Sequence, residues 1–268
     1  MSKPMTDEQE QKLFSLLLRF KGSNAPGPAA AATGPFAGKR VGLVDAASWI
    51  PIWGDYFGRR LLPGADISHI CDDSIQKAFQ EAKEKGQPVP PQTNIDRFGD
   101  YALNFATYGY DVVMLTCSTM NRSYRSVAER LREHNVPVVQ IDKPMCEQAV
   151  RTGKKIGLFV TLATSVRSSE LLLEETAAEQ NTALDYKSYL REEAFTQLGQ
   201  GNIAEHNAIL ADAVRGAVND DAIELGILAQ LSMSVFTFDH PEPEQEFGIP
   251  VLNSAETGFA RVRELLGA

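Results

Sequence analysis

A thiol set among hydroxyls is the first chemistry this chain offers. Residues 116–119 read Thr-Cys-Ser-Thr, and the apolar run Val112–Leu115 leads into them as a buried strand would. The stretch Asn121–His134 carries Val127, Ala128 and Leu131 on one face and charges on the other, the pattern of an amphipathic helix. Cys117 is therefore expected where a strand ends and a helix begins. Backbone N–H groups at a helix start carry partial positive charge, which favours a thiolate and lowers the thiol pKa. Thr116, Ser118 and Thr119 are residue types that cap helices, and they are equally suited to hydrogen-bonding a carboxylate. A free cysteine can also be no more than a small buried hydrophobe. Its position among hydroxyls at a strand end favours function.

The same pattern is written twice. Asp111–Met120 pairs with Glu224–Met233 at an offset of 113, and Val136-Pro137-Val138-Val139 pairs with Ile249-Pro250-Val251-Leu252 at the same offset. Upstream, Lys39–Leu43 answers Lys154–Leu158 at an offset of 115. Three matched segments in one order indicate an internal duplication. One difference stands out: Gln230 occupies the position of Cys117 in the second copy.

The elements that must hold these residues alternate strand with helix. Strands are expected at Val41–Val44, Asp66–Ile70, Val112–Leu115, Val136–Ile141, Ile156–Val160, near Ala183–Tyr186, and at Leu225–Leu228 and Ile249–Leu252. Helices are expected between them. That order implies an α/β fold of two pseudo-symmetric parallel-sheet halves with helices on both faces. Ligands of such sheets bind beyond the C-terminal strand ends, where the topology switches. The duplicated motifs lie at those ends, so the site is expected in a cleft between the lobes. The division is residues 1–37, a helix over 6–20 (apolar stripe Leu13, Leu17, Phe20) with a Gly/Pro/Ala-rich linker at 22–36; 38–153, the first half; and 154–268, the second. The leading helix is suited to docking on its own body or on a second copy, so a homo-oligomer is possible.

Composition narrows the function classes. The chain has 268 residues, 43% hydrophobic and 23% charged, an ordinary globular balance. Its net charge of −9 argues against nucleic acid or an anionic membrane as partner. There is no apolar run long enough to span a bilayer, and the start does not read as a secretory signal. Three cysteines form neither a disulfide framework nor a zinc pattern, so a reducing, cytoplasmic location is expected. Neither a metal nor a nucleotide cofactor is implied, because metal-ligand spacing, Gly-x-Gly-x-x-Gly and a P-loop are all missing.

Further candidates surround Cys117. Asp45 and Ser48 lie in the turn after the first strand, and Thr161, Thr164 and Ser165 occupy the matching turn of the second copy. Hydroxyls at a helix start suit anion binding and capping alike. Gln230 and Ser232 mark the second-half motif. Cys146 and Asp72 (beside Cys71 and Asp73) are candidate second acid–base groups, and so is His240 after the Gln230 strand. His69, His134 and His206 fall inside expected elements and read as structural or surface residues. Trp49, Trp53, Tyr56 and Phe57 read as a pocket wall or as core.

Together the duplicated half, the Thr116–Thr119 motif, Leu228–Met233 and Ile249–Ser254 resemble the aspartate/glutamate/hydantoin racemase superfamily, from about residue 38 onward. The resemblance implies a cofactor-independent enzyme acting alpha to a carboxylate of a small acid. In its racemases one cysteine from each half flanks the substrate, removing a proton on one face and returning one on the other. Here only Cys117 fills a motif position. The superfamily also holds single-cysteine decarboxylases and isomerases in which a cysteine attacks a double bond, and one thiol suffices for either. A catalytically silent sensor of small acids is the alternative from another class.

Overall fold

The computed structural model describes residues 6–21 and 33–267. Two four-stranded, all-parallel sheets form the molecule. In the first, β1 (Arg40–Asp45), β2 (Asp66–Cys71), β3 (Val112–Leu115) and β4 (Val138–Gln140) lie in the order β2-β1-β3-β4. In the second, β5 (Ile156–Val160), β6 (Tyr186–Leu190), β7 (Leu225–Leu228) and β8 (Val251–Asn253) repeat it as β6-β5-β7-β8. The sequence duplication is thus a duplication of topology. β3 and β7 are buried at every residue, as strands covered on both faces must be. The strand expected near Ala183–Tyr186 instead runs over Tyr186–Leu190, because as an edge strand it shows a broken burial pattern and a weak apolar signal.

Helices cross between the strands: α1 (Asp7–Lys21), α2 (Ile50–Leu61), α3 (Asp73–Glu84), α4 (Gln92–Thr107), α5 (Tyr124–Leu131), α6 (Lys143–Arg151), α7 (Ala163–Glu179), α8 (Glu192–Gly199), α9 (Ile203–Asp221), α10 (Pro243–Phe247) and α11 (Ser254–Leu265). Leu13 and Leu17 of α1 are exposed. The linker over 22–32 and the side chain of Phe20 lie outside the described residues. In α2, Pro51 sits in the first turn, where no intrahelical N–H is lost. Gly54 and Gly58 let the helix lie close on its neighbours. A Cβ at Gly54 would stand 2.7 Å from the His69 ring, and one at Gly58 2.5 Å from Ile67.

The cores do not divide where the sequence repeat does. α6 closes the first copy, yet Met145, Cys146, Ala149 and Val150 pack with Ile156, Leu158, Leu172 and Ile227 of the second sheet. α11 closes the second copy, yet Ala255, Phe259 and Val262 join Leu43, Phe57 and Leu115 in the core of the first. Each copy gives its last helix to the other lobe, so the boundary at 153/154 is not a packing boundary.

Candidate active site

The switch points of the two sheets lie between β1 and β3 and between β5 and β7. Cys117 follows β3, and Gln230 follows β7. Both have extended backbone, and both are followed at once by a 3-10 helix, Ser118–Ser123 after Cys117 and Leu231–Phe238 after Gln230. The local turns match: Met120 N–H donates to the Cys117 carbonyl at 2.9 Å, and Met233 N–H to the Gln230 carbonyl at 3.0 Å. This corrects the continuous helix expected over Asn121–His134. The 3-10 segment precedes α5, and a further 3-10 turn spans Arg132–His134. Small hydroxyl and amide side chains that bond nearby backbone, as Ser123 Oγ does to the Met120 carbonyl at 2.7 Å, compete with an α-helical start.

Cys117 and Gln230 line one narrow slot between the lobes. Thr116, Ser118, Thr119, Ser165 and Ser232 line it as well, so the structure brings together seven of the thiol, hydroxyl and amide residues singled out from sequence. Trp49, Ile50 and Trp53 of the α2 region cover it, with Leu162, Leu231 and Gln76 of α3 completing the walls. The lobes are stitched beside the slot. Thr119 Oγ1 and Ser165 Oγ are 2.9 Å apart, and Ser168 Oγ donates to the Ser118 carbonyl at 2.8 Å. The space left open is about 30 Å³, roughly the volume of one water. A substrate enters only if part of the wall moves. A wider groove, about 760 Å³, runs along β4 behind the 3-10 segment and shares no residue with the slot.

Electrostatically the slot is unlike the expected thiolate site. Burial dominates at Cys117 and pushes its thiol up to about 12, with the negative charge of Asp142 acting in the same sense. The N–H groups of Met120 and Thr119 and the Thr119 hydroxyl favour the thiolate but are outweighed. A short 3-10 start cannot offset the loss of water around a buried sulfur. At neutral pH Cys117 is a thiol.

Gln230 is fixed by Thr161, whose N–H and hydroxyl donate to Gln230 Oε1 at 2.6 and 2.8 Å. A backbone N–H can only donate, so this contact identifies the carbonyl oxygen of the carboxamide and leaves its NH₂ as the free end. Thr161 thus acts behind the wall rather than in it.

Other sequence candidates fall away from the slot. Asp45 is fully buried. It accepts from Thr116 Oγ1 and lies 2.7 Å from His69 Nδ1, so its carboxylate is spent inside the first lobe. Ser48 is exposed, its N–H donating to Asp73 Oδ1 at 2.7 Å, and Thr164 is half-buried outside the slot walls. Cys146 is buried in the core of the second lobe, where burial pushes its thiol strongly up. Asp72 caps α3, accepting from Ser74 N–H at 2.9 Å and from Tyr101 Oη at 2.5 Å, with Arg97 paired to it. Burial opposes its charge, but these donors win and hold the carboxyl below its usual range. His240 pairs with Glu246 at 2.6 Å and packs against Phe236 and Phe247. None of these three is a second proton donor in the slot.

Two residues carry more than sequence reading gave them. Asp142, which follows β4, is buried behind Ser118. It accepts from Ser254 Oγ at 2.5 Å, from Asn121 Nδ2 at 3.0 Å and from the Ser118 hydroxyl, and burial still pushes its carboxyl up. His69 sits between Asp45 and Asp55, its Nε2 3.5 Å from Asp55. Burial works against the charged ring, but the contacts with both carboxylates outweigh it and raise the pKa to about 9. Neither had a local signal, because both roles depend on distant partners. Among the described residues no cluster of three or more His, Cys, Asp or Glu could hold a metal ion, and no helix is long and apolar enough to cross a membrane.

Two similar four-stranded parallel lobes with helices on their faces match the fold of racemases. The sequence model of the Asp/Glu/Hydantoin racemase family matches residues 66–262, and the chain belongs to that family. Comparison with curated proteins finds no match. Similar folds occur in the aspartate racemase of Picrophilus torridus (14% identity, TM-score 0.62, 86% of this chain and 95% of that one). They occur also in a glutamate racemase of Bacillus anthracis (16%, 0.61, 85% and 82%) and in the allantoin racemase of Klebsiella pneumoniae (15%, 0.60, 85% and 87%).

Proposed function

We propose that this protein is a cofactor-independent enzyme that moves a proton at the carbon alpha to the carboxylate of a small acid, on one face only, with Cys117 as the proton-carrying group. One observation carries the reading: a single buried thiol, held protonated, shares the slot with a fixed carboxamide where a second thiol would stand. A racemase cycle needs an acid–base group on each face of the carbon. A carboxamide does not exchange protons usefully near neutral pH, and Cys146, Asp72 and His240 are elsewhere.

A protonated thiol suits donation. In the decarboxylating form of the reaction, the substrate C–CO₂ bond breaks and its electron pair remains on the alpha carbon as an enediolate. CO₂ leaves, and the S–H proton passes to the carbon. The Cys117 thiolate then recovers a proton from water. No oxidant, reductant or external base enters this balance. Ser232, the Gln230 NH₂ and the one hydroxyl proton that the Thr119–Ser165 pair leaves free supply donors for carboxylate and enediolate oxygens.

The raised thiol pKa also supports a second reading, a small-acid sensor without turnover, since an inert buried thiol serves binding equally well. Incubation in D₂O of wild type and Cys117→Ser separates the two. The panel comprises disubstituted malonates, hydroxy acids, chiral amino acids, hydantoins and maleate, read by NMR and mass. CO₂ release with one deuterium gained, abolished by the substitution, is the expected result. Deuterium entering without CO₂ loss, with the enantiomer appearing, overturns one-sided chemistry. No turnover, with a panel member raising Tm, establishes the sensor.

A further inference from the structure

We infer that α1 docks on its own chain, laying Leu13, Leu16 and Leu17 antiparallel on the exposed face of α2, as a strap over the element that closes the slot. The inference concerns α2 and its cover, and it holds whatever reaction the slot performs.

Both surfaces are apolar and uncovered. Leu13, Leu16 and Leu17 are exposed and stand at i, i+3 and i+4, a single stripe on α1. A helix of 15 residues is marginal in water unless such a stripe is buried. On the body of the protein, Ile52 and Tyr56 are exposed four residues apart on α2. Phe238, at the end of the 3-10 helix after β7, is exposed too, its ring 5.2 Å from that of Tyr56. The patch thus bridges the two lobes, and it lies outside both the slot and the wide groove. Contiguous exposed apolar side chains mark an interaction surface.

Three features select α1 as the occupant. The first is where its tether ends. Thr33 and Phe36 lie against Pro63 and Gly64, just past the end of α2, with Phe36 N–H donating to the Pro63 carbonyl at 3.3 Å. The eleven residues 22–32 reach at most about 40 Å, while α2 with its 12 residues is about 18 Å long. The tether therefore lets α1 lie along α2 in either direction. The second feature is spacing. Ile52, Tyr56 and Arg60 follow one another at i, i+4 and i+8 on one face of α2, about 12 Å from end to end, and Glu8 and Leu16 of α1 are separated by the same distance. Charge is the third. Antiparallel, exposed Glu8 meets exposed Arg60, Leu13 falls beside Tyr56, and Leu16 and Leu17 fall beside Ile52. The parallel direction instead sets Arg60 against the basic end of α1, which carries Arg19 and Lys21. Charge pairs of this kind choose orientation more than they add affinity. Trp49 and Trp53, at the start of α2, cover the slot. A strap across Ile52 and Tyr56 resists the displacement of α2 that entry to the slot requires.

The test uses the full chain. Leu13→Glu combined with Leu17→Glu changes only exposed side chains, so the fold is kept while the stripe is lost. Hydrogen exchange is expected to be at least fivefold faster over Ile52–Arg60 in this double variant than in wild type. Ile52→Glu, on the facing surface, should speed exchange of the α1 amides to a similar degree. In a Cys71→Ser background, alkylation of Cys117 by iodoacetamide at pH 9, read by peptide mass, should be at least threefold faster with the two glutamates. In the same background, Leu16→Cys with Ile52→Cys should close an intrachain disulfide in a glutathione buffer at least tenfold faster than Leu16→Cys with Leu265→Cys, which lies in the wide groove. Equal α1 exchange in wild type and Ile52→Glu overturns the inference, and so does unchanged alkylation of Cys117. Faster closure to the cysteine at position 265 overturns it by placing α1 in the groove. A wild-type dimer by light scattering that the two glutamates dissociate overturns it by placing α1 on a second copy.

Discussion

A buried sulfur decides the chemistry at the residue scale. Cys117 has the neighbours of an activated thiol and the solvation of an inert one, and desolvation is the larger effect. Its alkylation by iodoacetamide is therefore expected to be slow at pH 7–8 and to rise about tenfold per pH unit, as thiolate-limited reaction requires, without a plateau below pH 10. A plateau near pH 7 would show that the slot opens and that N–H donors govern the sulfur. Gln230 is the other decisive residue. Gln230→Cys places a thiol on the opposite wall, and one-sided chemistry then predicts a gain of function. Alpha-proton exchange and enantiomer interconversion should appear on chiral 2-substituted acids, measured by chiral chromatography, while wild type shows neither.

At the scale of elements, α2 is both lid and anchor. Its start covers the slot through Trp49 and Trp53, while Gly54 and Gly58 bring its body against His69 and Ile67. With about 30 Å³ open, ligand entry must displace this cover, so tryptophan emission should shift on adding a bound acid. No shift at saturation would mean that α3, through Gln76, is the part that moves. Below α2, His69 links Asp45 of β1 to Asp55 of the helix. Its folded-state pKa is raised from 6.5 to about 9, so its stabilisation is complete below pH 6.5 and is lost as pH rises through about 9. His69→Leu leaves the carboxylates without their shared cation, an effect of about 3–5 kcal/mol for a broken buried pair. Urea unfolding should show that difference at pH 6 and a clearly smaller one at pH 9.5. Cys117 adds a second, alkaline contribution, present below pH 9 and lost towards about 12.

For the whole molecule, the exchange of α6 and α11 makes the two lobes one cooperative unit. Phe259 of α11 is fully buried in the core of the first lobe although it belongs to the second copy. Phe259→Ala is expected to cost about 3–5 kcal/mol and to lower Tm in calorimetry while keeping a single transition. Two separate transitions would show that the lobes unfold independently and that the exchanged helices are minor contacts. The same stitching holds the slot, since Thr119 meets Ser165 and Ser168 reaches the Ser118 carbonyl across the lobe boundary.

The linear chain alone determined the doubled α/β plan, most of the strands, and the two positions that face one another. Periodicity and repetition are local properties, and parallel strands buried on both faces leave continuous apolar runs such as Val112–Leu115. The membership of Cys117, Ser118, Thr119, Ser165, Gln230 and Ser232 in one slot followed from that plan, because strand ends at a switch point must converge. Tertiary structure alone decided the rest. It set the protonation of Cys117, which depends on how much water α2 excludes. It turned Asp45 inward to His69, sent Cys146 into the opposite core, and fixed the Gln230 carboxamide through Thr161. Solvation and hydrogen-bond partnership arise between segments far apart in sequence, and spacing along the chain does not encode them.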